Sequence, residues 1–298
     1  MIVRGIFPAL VTPFRTDESV SLSGVTENIR QYNETRVAGY VVLGSTGESV
    51  MLSRDEADSI LAAAKEAAGP GKLLIAGTGV ESTAETIART KRAAAMGYQV
   101  ALVKTPYYYK PVYRAETHFQ HYRAVADASP IPILLYSVPQ FTGITLETAE
   151  VLALAAHPNI AGIKDSSGNI QRIGEMVASA RKDFCVLTGG AAVVYPALAV
   201  GARGAVLALA AALPEKCAEL FELVQQGQHE QAQQLQLLLV TASKRIVSEC
   251  GIPGVKYAMG LRGYEGGVSR RPLLPLTEEK KQGIAAVVSQ LHPAAARV

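Results

Sequence analysis

Short apolar segments, many of them rich in β-branched residues, recur along the chain at intervals of a few tens of residues. There are eight: IFPALV (6–11), GYVVLG (39–44), LLIAGT (73–78), QVALVK (99–104), PILLYS (132–137), NIAGIK (159–164), FCVLTG (184–189) and GAVLAL (204–209). Nearly continuous apolar character is typical of parallel strands that are covered on both faces. Each segment is therefore predicted to be a strand of one parallel sheet.

Segments with helical periodicity separate these strands. SRDEADSILAAAKEAA opens with a Ser-x-x-Glu capping box formed by Ser53 and Glu56, and STAETIARTKRAAAM opens with the same pattern at Ser82 and Glu85. Eight strand–helix units match an α/β fold of the (β/α)8 TIM-barrel type, which typically needs roughly 250 residues. A doubly wound open sheet is the alternative, because it also alternates strands and helices.

The strand pattern ends near residue 212, and helical segments such as HEQAQQLQLLLVTASKRIVSEC follow. We predict a (β/α)8 catalytic barrel over residues 1–225 and a C-terminal helical region over residues 226–298. No low-complexity linker separates the two parts, so the helical region is expected to pack on the barrel. Amphipathic helices of this kind could equally form a subunit interface.

Composition narrows the class of protein. The chain has 298 residues, of which 49% are hydrophobic, and its formal net charge of +3 comes without a long Lys/Arg run, so nucleic acid is not predicted as a partner. No uninterrupted apolar run reaches the ~20 residues of a membrane span. Pro8 and Pro13 interrupt the apolar N-terminus, which is read as a strand and not as a signal peptide. Three widely spaced cysteines favour reduced thiols and a cytoplasmic location.

Two of the predicted strands end in lysine, at Lys104 and Lys164. In a TIM barrel the chemistry lies at the carboxyl ends of the strands. A lysine at the mouth of an apolar pocket loses hydration, and its neutral amine can attack a carbonyl to form a Schiff base. Position alone is equally consistent with a lysine that extends to solvent. Lys164 is the better candidate because the polar sequence Asp-Ser-Ser-Gly follows it.

Hydroxyl groups follow other strands. The turn GSTGE contains Ser45 and Thr46, whose hydroxyls and backbone amides could hold a carboxylate, although such a turn also commonly joins a strand to a helix. Tyr136 ends another strand, where it could be a core aromatic residue or a catalyst. His118 and His121 lie three residues apart without an acidic neighbour on the same face, so no metal site is predicted.

Taken together, GSTGE, TPYYYKP, YSVP followed by TG, and GIKDSSG resemble the dihydrodipicolinate synthase and N-acetylneuraminate lyase family in order and spacing. The similarity covers essentially the whole chain, including GIPGVK in the helical tail. It implies a class I aldolase or lyase on a (β/α)8 barrel, forming a Schiff base between a lysine and pyruvate or a related 2-oxo acid. It also implies a homotetramer or dimer of dimers, with no separate cofactor and no metal.

The resemblance assigns roles to individual residues. Lys164 would form the Schiff base, Tyr136 would transfer protons to and from the substrate, and Ser45 would belong to the hydroxyl relay. Tyr108, in the run KTPYYYKP, would match a relay tyrosine that a neighbouring subunit contributes. The remaining residues would bind substrate: Thr46 and Gly47 through the turn amides, Val206 through its backbone, and Phe141 on the aldehyde side.

The identity of the aldehyde depends on Phe141, which stands two residues after Pro139. Dihydrodipicolinate synthases usually have an arginine there that grips a carboxylate, and an apolar ring cannot replace it. The chain is instead similar in sequence to 4-hydroxy-2-oxoglutarate aldolases, which release pyruvate and glyoxylate, in the segments YSVP, GVESTAET, HPNIAGIKDS and RIGEM. Cleavage of a 4-hydroxy-2-oxo acid is therefore the expected reaction.

Other functions stay open. One is the condensation of pyruvate with aspartate semialdehyde, and another is a 2-keto-3-deoxy sugar acid aldolase or dehydratase. The non-enzymatic alternative is a 2-oxo-acid sensor that uses the same pocket, although a sensor would not need the proton relay of tyrosines.

Overall fold

A computed structural model describes residues 3–292 of the chain as an eight-stranded parallel barrel surrounded by helices. The strands are β1 (Gly5–Pro8), β2 (Gly39–Val42), β3 (Leu73–Gly77), β4 (Val100–Lys104), β5 (Ile133–Ser137), β6 (Ile160–Asp165), β7 (Cys185–Thr188) and β8 (Gly204–Leu207). Each overlaps one of the eight predicted apolar segments. The predicted (β/α)8 class is confirmed, and the open doubly wound sheet is wrong.

Thirteen α-helices are found in the described residues. They are α1 (Leu22–Asn33), α2 (Arg54–Ala67), α3 (Thr83–Ala95), α4 (Ala115–Ala128), α5 (Pro139–Thr142), α6 (Thr148–Ala155), α7 (Ile170–Ser179), α8 (Val194–Ala199), α9 (Leu209–Ala212), α10 (Pro214–Gln225), α11 (His229–Ala242), α12 (Gly251–Leu261) and α13 (Glu278–Leu291). A π-helical segment over Ser243–Ser248 joins α11 to α12. None of the helices in the described part of the chain is long and apolar enough to cross a membrane.

Hydrogen bonds between the first two strands close the barrel. Seven strand pairs from β2 round to β1 form parallel ladders, and the pair of β5 and β6 contains a register shift. The gap between β1 and β2 is bridged more sparsely, by the amide of Ala38 donating to the carbonyl of Ile6 at 2.9 Å and that of Leu10 donating to Val41 at 2.9 Å. The strand ends therefore form a ring, which brings loops far apart in sequence to one face.

Alternation along each strand builds two apolar layers. In β3, Ile75 belongs to the cluster that fills the barrel, whereas its neighbours Leu74 and Ala76 pack against helices. Successive side chains of a strand point to opposite faces, so every strand contributes to both layers. This explains why the strand segments are apolar throughout.

The two predicted capping boxes have different outcomes. At the start of α2, Ser53 accepts from the Glu56 amide and Glu56 accepts from the Ser53 amide, so this box is confirmed. At the start of α3, Ser82 accepts from the Glu85 amide, but the Glu85 carboxylate accepts from Arg89 at 3.0 Å instead of reaching back. The prediction of a capping box at Ser82 is therefore wrong for the contact from Glu85 back to the Ser82 amide. Arg89, one turn further along α3, binds the Glu85 carboxylate instead.

The C-terminal helices share a continuous core with the barrel. Leu239 of α11, Val255 of α12 and Ile284 of α13 belong to the same buried cluster as Leu10 and Leu207 of the barrel. Extensive contacts between these helices and the barrel confirm the predicted helical extension. Its boundary at residues 225/226 stays a prediction.

Candidate active site

A cavity of about 410 Å³ opens at the carboxyl ends of the barrel strands. Its lining comes from the ends of five strands and the loops after them (β2, β5, β6, β7 and β8) and from the C-terminal helical region: Ser45, Thr46, Tyr136, Val138, Gln140, Phe141, Lys164, Ser166, Gly189, Val206, Ala208, Val247, Ser248, Gly251, Ile252 and Val255. Six of the eight predicted site residues, Lys164, Tyr136, Ser45, Thr46, Val206 and Phe141, are in this set. Residues that are distant in sequence are thus brought into one site.

A β-bulge turns Lys164 into the barrel. Ile133 of β5 pairs with Ile160 of β6, but the next residue pairs with Gly162, so Ala161 is an extra residue in β6. The bulge shifts the alternation by one position, which places Ile163 against the helices and Lys164 on the cavity side. A side chain at Gly162 would collide with the backbone of Cys185, so the bulge requires glycine there.

Lys164 and Tyr136 are adjacent on neighbouring strands. They are register partners of β6 and β5, and each is only 4% exposed. The Lys164 Nζ lies 4.1 Å from the centroid of the Tyr136 ring, where the face of the ring stabilises a cation. No acidic side chain of residues 3–292 forms an ion pair with Lys164. Its amine is thus available to a small molecule in the cavity.

The acidic residue next to Lys164 is held away from the cavity. Asp165 is fully buried and accepts from the Nε of Arg172 on α7 at 2.8 Å and from the amide of Ser167 at 2.9 Å. Its neighbour Ser166 lines the cavity, with its side chain close to Gly189, where any side chain would collide with it. The polar sequence after Lys164 therefore anchors the end of β6 instead of forming an ion pair with the lysine.

The GSTGE turn lies opposite Lys164. Residues Ser45–Gly47 form one turn of 3₁₀ helix, and the hydroxyl of Ser45 is 3.4 Å from that of Tyr136. Thr46 lines the cavity, whereas Gly47 is buried behind it, with its carbonyl accepting from the Thr12 hydroxyl at 2.7 Å. The first amides of such a turn have no partner within the helix and attract anions.

The tyrosine run does not reach this cavity. Tyr108 is 71% exposed and does not line the site that contains Lys164 and Tyr136. The amides of Tyr107 and Tyr108 each donate to Glu81 at 2.9 Å, and Glu81 also pairs with Lys104 at 3.7 Å. The loop is therefore anchored at its base while the Tyr108 side chain extends outward. Its role in the pocket of a neighbouring subunit stays a prediction.

The outer wall of the cavity was missed by the sequence reasoning. Val247, Ser248, Gly251, Ile252 and Val255 all belong to the C-terminal helical region. GIPGVK contributes three of them, and this motif was the only signal available. Phe141 closes the rim and is 67% exposed, so most of its ring faces solvent.

The buried histidines form no metal-binding cluster. His118 pairs with Glu150 of α6 at 3.1 Å, and His121 contacts the hydroxyl of Thr83 at 2.9 Å. Burial lowers the pKa of His121 to about 4, so it is uncharged at neutral pH. Within residues 3–292, no group of three or more His, Cys, Asp or Glu side chains is arranged to hold a metal ion.

Comparison with known proteins agrees with this architecture. The model of the dihydrodipicolinate synthetase family matches residues 2–291. A 4-hydroxy-tetrahydrodipicolinate synthase of Exiguobacterium sp. is 35% identical and covers 97% of this chain and 98% of its own. A probable mitochondrial 4-hydroxy-2-oxoglutarate aldolase of Emericella nidulans is also 35% identical, covering 97% and 95%. The crystal structure of a dihydrodipicolinate synthase from Bacillus anthracis superimposes with a TM-score of 0.92 at 30% identity, covering 97% and 99%.

Proposed function

Because this chain belongs to the dihydrodipicolinate synthetase family, whose members are class I aldolases and lyases, we propose that it joins or splits carbon–carbon bonds through an imine between Lys164 and pyruvate. The observation that carries this proposal is the placement of Lys164. It is a buried lysine without an acidic partner in the described chain, and it lines a cavity together with a phenol and a turn in which the amides of Ser45 and Thr46 have no hydrogen-bond partner among the described residues, whereas the Gly47 amide donates to the Gly44 carbonyl at 3.0 Å.

Imine formation begins at the Lys164 amine. The Nζ lone pair attacks the carbonyl carbon of pyruvate, and the resulting carbinolamine loses water to give a protonated imine. The imine withdraws electrons from the neighbouring carbon, so a proton leaves that carbon and an enamine forms. The enamine carbon then adds to an aldehyde, and the same steps in reverse cleave a 4-hydroxy-2-oxo acid.

Protons for these steps are supplied by Tyr136. Its hydroxyl is close to that of Ser45, at 3.4 Å, and its ring lies against the Lys164 amine. A phenol in this place can give a proton to the departing hydroxyl of the carbinolamine and take one back from the aldol hydroxyl. Thr46 and the turn amides would hold the pyruvate carboxylate, which fixes the carbonyl next to the amine.

Two reactions that differ in their aldehyde are candidates for this protein. The sequence motifs predicted cleavage of 4-hydroxy-2-oxoglutarate. The names of the relatives support condensation of pyruvate with aspartate semialdehyde better than they support this cleavage. We therefore propose the condensation as the principal candidate. One observation favours a less charged aldehyde than either of these two, both of which carry a carboxylate: Phe141 stands at the rim, and Lys164 is the only charged residue lining the described cavity.

Two assays separate these candidates. Purified protein is incubated with pyruvate and aspartate semialdehyde, and formation of the cyclic product is followed. In parallel, 4-hydroxy-2-oxoglutarate is supplied and pyruvate release is coupled to lactate dehydrogenase. The principal candidate predicts a higher kcat/KM in the first assay. Faster pyruvate release in the second would reverse the assignment, and turnover in neither would favour a sugar-acid substrate or a 2-oxo-acid sensor.

The assembly is also part of the proposal. Tyr108 is anchored at the base of its loop but is exposed beside another exposed tyrosine, Tyr109, with ring centroids 5.0 Å apart. We propose that a homotetramer, or a dimer of dimers, buries this pair and brings Tyr108 to the cavity of a neighbouring subunit. Sedimentation of the Tyr108→Arg variant would test it, because a charged side chain at a buried interface should dissociate the oligomer.

A further inference from the structure

A buried ion pair lies directly behind the turn that would hold the substrate carboxylate. Glu48, the last residue of GSTGE, is 1% exposed, and Lys256, the last residue of GIPGVK, is 3% exposed. The Oε1 of Glu48 is 2.5 Å from the Nζ of Lys256. Neither residue lines the cavity that contains Lys164. Burying two charged side chains costs desolvation free energy, and their mutual attraction and further hydrogen bonds must offset this cost.

Further contacts fix both side chains. The second carboxylate oxygen of Glu48 accepts from the amide of Arg270 at 2.9 Å. The ammonium group of Lys256 donates to the carbonyl of Val268 at 2.6 Å and lies 4.6 Å from the centroid of the Phe14 ring. Burial lowers the pKa of Lys256, while the negative charge of Glu48 opposes this change. Three further contacts therefore hold the pair in place, with the Arg270 amide, the Val268 carbonyl and the Phe14 ring.

The backbone of the turn depends on the same residue. Glu48 has φ +54° and ψ +31°, in the left-handed region that non-glycine residues rarely adopt. Its amide donates to the carbonyl of Ser45 at 3.1 Å, which closes the 3₁₀ turn. On the other side, Thr12 holds the carbonyl of Gly47 at 2.7 Å. The conformation of Ser45–Gly47 is thus set from behind by two buried side chains, those of Thr12 and Glu48.

The partner lysine belongs to an element that also shapes the cavity. Lys256 is on α12, whose residues Gly251, Ile252 and Val255 line the outer wall. The ion pair is consequently a direct connection between the carboxylate-binding turn and the outer wall of the cavity. A displacement of α12 would be transmitted to the turn through one contact.

We propose that Glu48 and Lys256 are positioning residues: their ion pair fixes the amides of Ser45 and Thr46 in the geometry that binds the carboxylate of the 2-oxo acid, and it aligns α12 with that turn. This inference rests on the proposed function, since it concerns the same site. It assigns a task to Lys256, the residue of GIPGVK that is buried but does not line the cavity. Electrostatics adds to the geometry, because Lys256 neutralises an anion that would otherwise repel the substrate carboxylate.

Variants of the two residues test this proposal. The dissociation constant of pyruvate is measured by calorimetry, and the half-saturating pyruvate concentration is measured by borohydride trapping of the imine, for wild type, Glu48→Gln, Lys256→Gln and the double variant. Each single variant should raise both quantities about tenfold or more, since a small misplacement of a binding group has an effect of this order. The rate of imine formation at saturating pyruvate should change by less than about threefold, because Lys164 and Tyr136 are untouched.

The double variant separates charge from geometry. It removes the unpaired charge, so an effect of charge alone would return pyruvate affinity to the wild-type value, whereas positioning predicts an affinity that remains weakened. Arg262→Gln is the matched control: Arg262 directly follows α12 and pairs with Glu215 at 3.3 Å, away from the turn. This control should leave both pyruvate constants unchanged even if its melting temperature falls.

Several outcomes would overturn the proposal. Folded single variants with wild-type pyruvate affinity would do so, and so would a fall in saturating rate with affinity unchanged. If Lys256→Gln does not fold, Glu48→Gln decides, because it keeps the side-chain volume and an oxygen for the Arg270 amide. Absence of trapping in wild type, with pyruvate still binding and the variants still weakening it, would remove the proposed imine chemistry and leave the positioning role.

Discussion

The carboxyl ends of β4 and β6 lie on either side of β5 on the same face of the barrel, and each carries a lysine at the same level: Lys104 is the last residue of β4, and Lys164 is the last but one of β6. Lys104 and Lys164 are both register partners of Tyr136, on its two sides. Lys104 is paired with Glu81 at 3.7 Å and lies over the ring of Tyr107 at 4.8 Å. Lys164 lies over Tyr136 and has no acidic partner in the described chain, but it borders the cavity.

The partner of each lysine decides what the lysine can do. Glu81 holds Lys104 and, with its other oxygen, the amides of Tyr107 and Tyr108, so this lysine helps to anchor a loop. Burial lowers the pKa of Lys104, and Glu81 acts in the opposite direction by favouring the charged form. A lysine that is held in an ion pair is a poor nucleophile, so two similar strand ends produce one structural lysine and one candidate catalyst.

The largest effect is expected from exchanging the lysines for methionine one at a time. Lys164→Met should reduce turnover about 10⁴-fold or more, because it removes the amine that forms the imine. Lys104→Met, the matched control, should lower turnover by no more than about tenfold through loosening of the loop, since effects on positioning are smaller than loss of the nucleophile. Steady-state kinetics in the coupled assay measure both. Equal losses in the two variants would contradict the division of roles.

Removal of the Tyr136 hydroxyl should have the next largest effect. Tyr136→Phe keeps the ring beside Lys164 but removes the proton donor, so kcat should fall about 10²- to 10³-fold. Tyr98→Phe is a control, because the Tyr98 hydroxyl donates to the carbonyl of Leu61 at 2.9 Å, away from the cavity. It should lower stability by about 1 kcal/mol and leave kcat unchanged. A Tyr136→Phe enzyme with full activity would remove this phenol from the mechanism.

A smaller loss is expected at Tyr108. Tyr108→Phe should lower turnover by about ten- to a hundredfold if the hydroxyl serves a neighbouring site, the range of a single acid–base group acting at a distance. Its melting temperature should change little, because the substitution keeps the ring and removes only a hydroxyl that has no hydrogen-bond partner within the described chain; the loop contact of Tyr108 is made by its backbone amide. Tyr109→Phe, at the adjacent position, should have no effect on either quantity. Undiminished turnover of Tyr108→Phe would exclude it from the relay.

The smallest effect concerns the choice of aldehyde and not the lysines. Phe141→Arg places a guanidinium at the rim, where it can bind a carboxylate with two hydrogen bonds. We expect kcat/KM for condensation with aspartate semialdehyde to rise about tenfold, equivalent to about 1.4 kcal/mol. Phe141→Met keeps the rim apolar and should not show the rise. No difference between the two variants would mean that Phe141 does not face the aldehyde.

The strands were predictable because both faces of each are buried, which gives a nearly continuous apolar signal. Lys164 was singled out because polar groups at the ends of such strands meet at one face, whereas Tyr136 received its role only from the resemblance to the family. The orientation of Lys164 was not predictable in this way, since it depends on the bulge at Ala161, for which Gly162 was the only local sign. The alternation alone would have turned this lysine towards the helices.

Contacts made across long sequence separations were missed. Ile252 reaches the cavity only because the C-terminal helices fold back on the barrel, and periodicity within a helix does not reveal which surface it covers. The pair formed by Glu48 and Lys256 spans more than two hundred residues, and each member alone looks like an ordinary surface charge in the sequence. Glu81 was visible in GVESTAET, but its task appears only when the tyrosine loop lies beside it.

The central claim is that Lys164, and not Lys104, forms a covalent imine with pyruvate. The most direct test is to treat the wild-type protein with pyruvate and sodium borohydride, digest it and map the modified peptide by mass spectrometry. The account predicts a stable adduct of reduced pyruvate on the peptide that contains Lys164, and none on the peptide that contains Lys104. An unmodified Lys164, or modification of Lys104 instead, would contradict it.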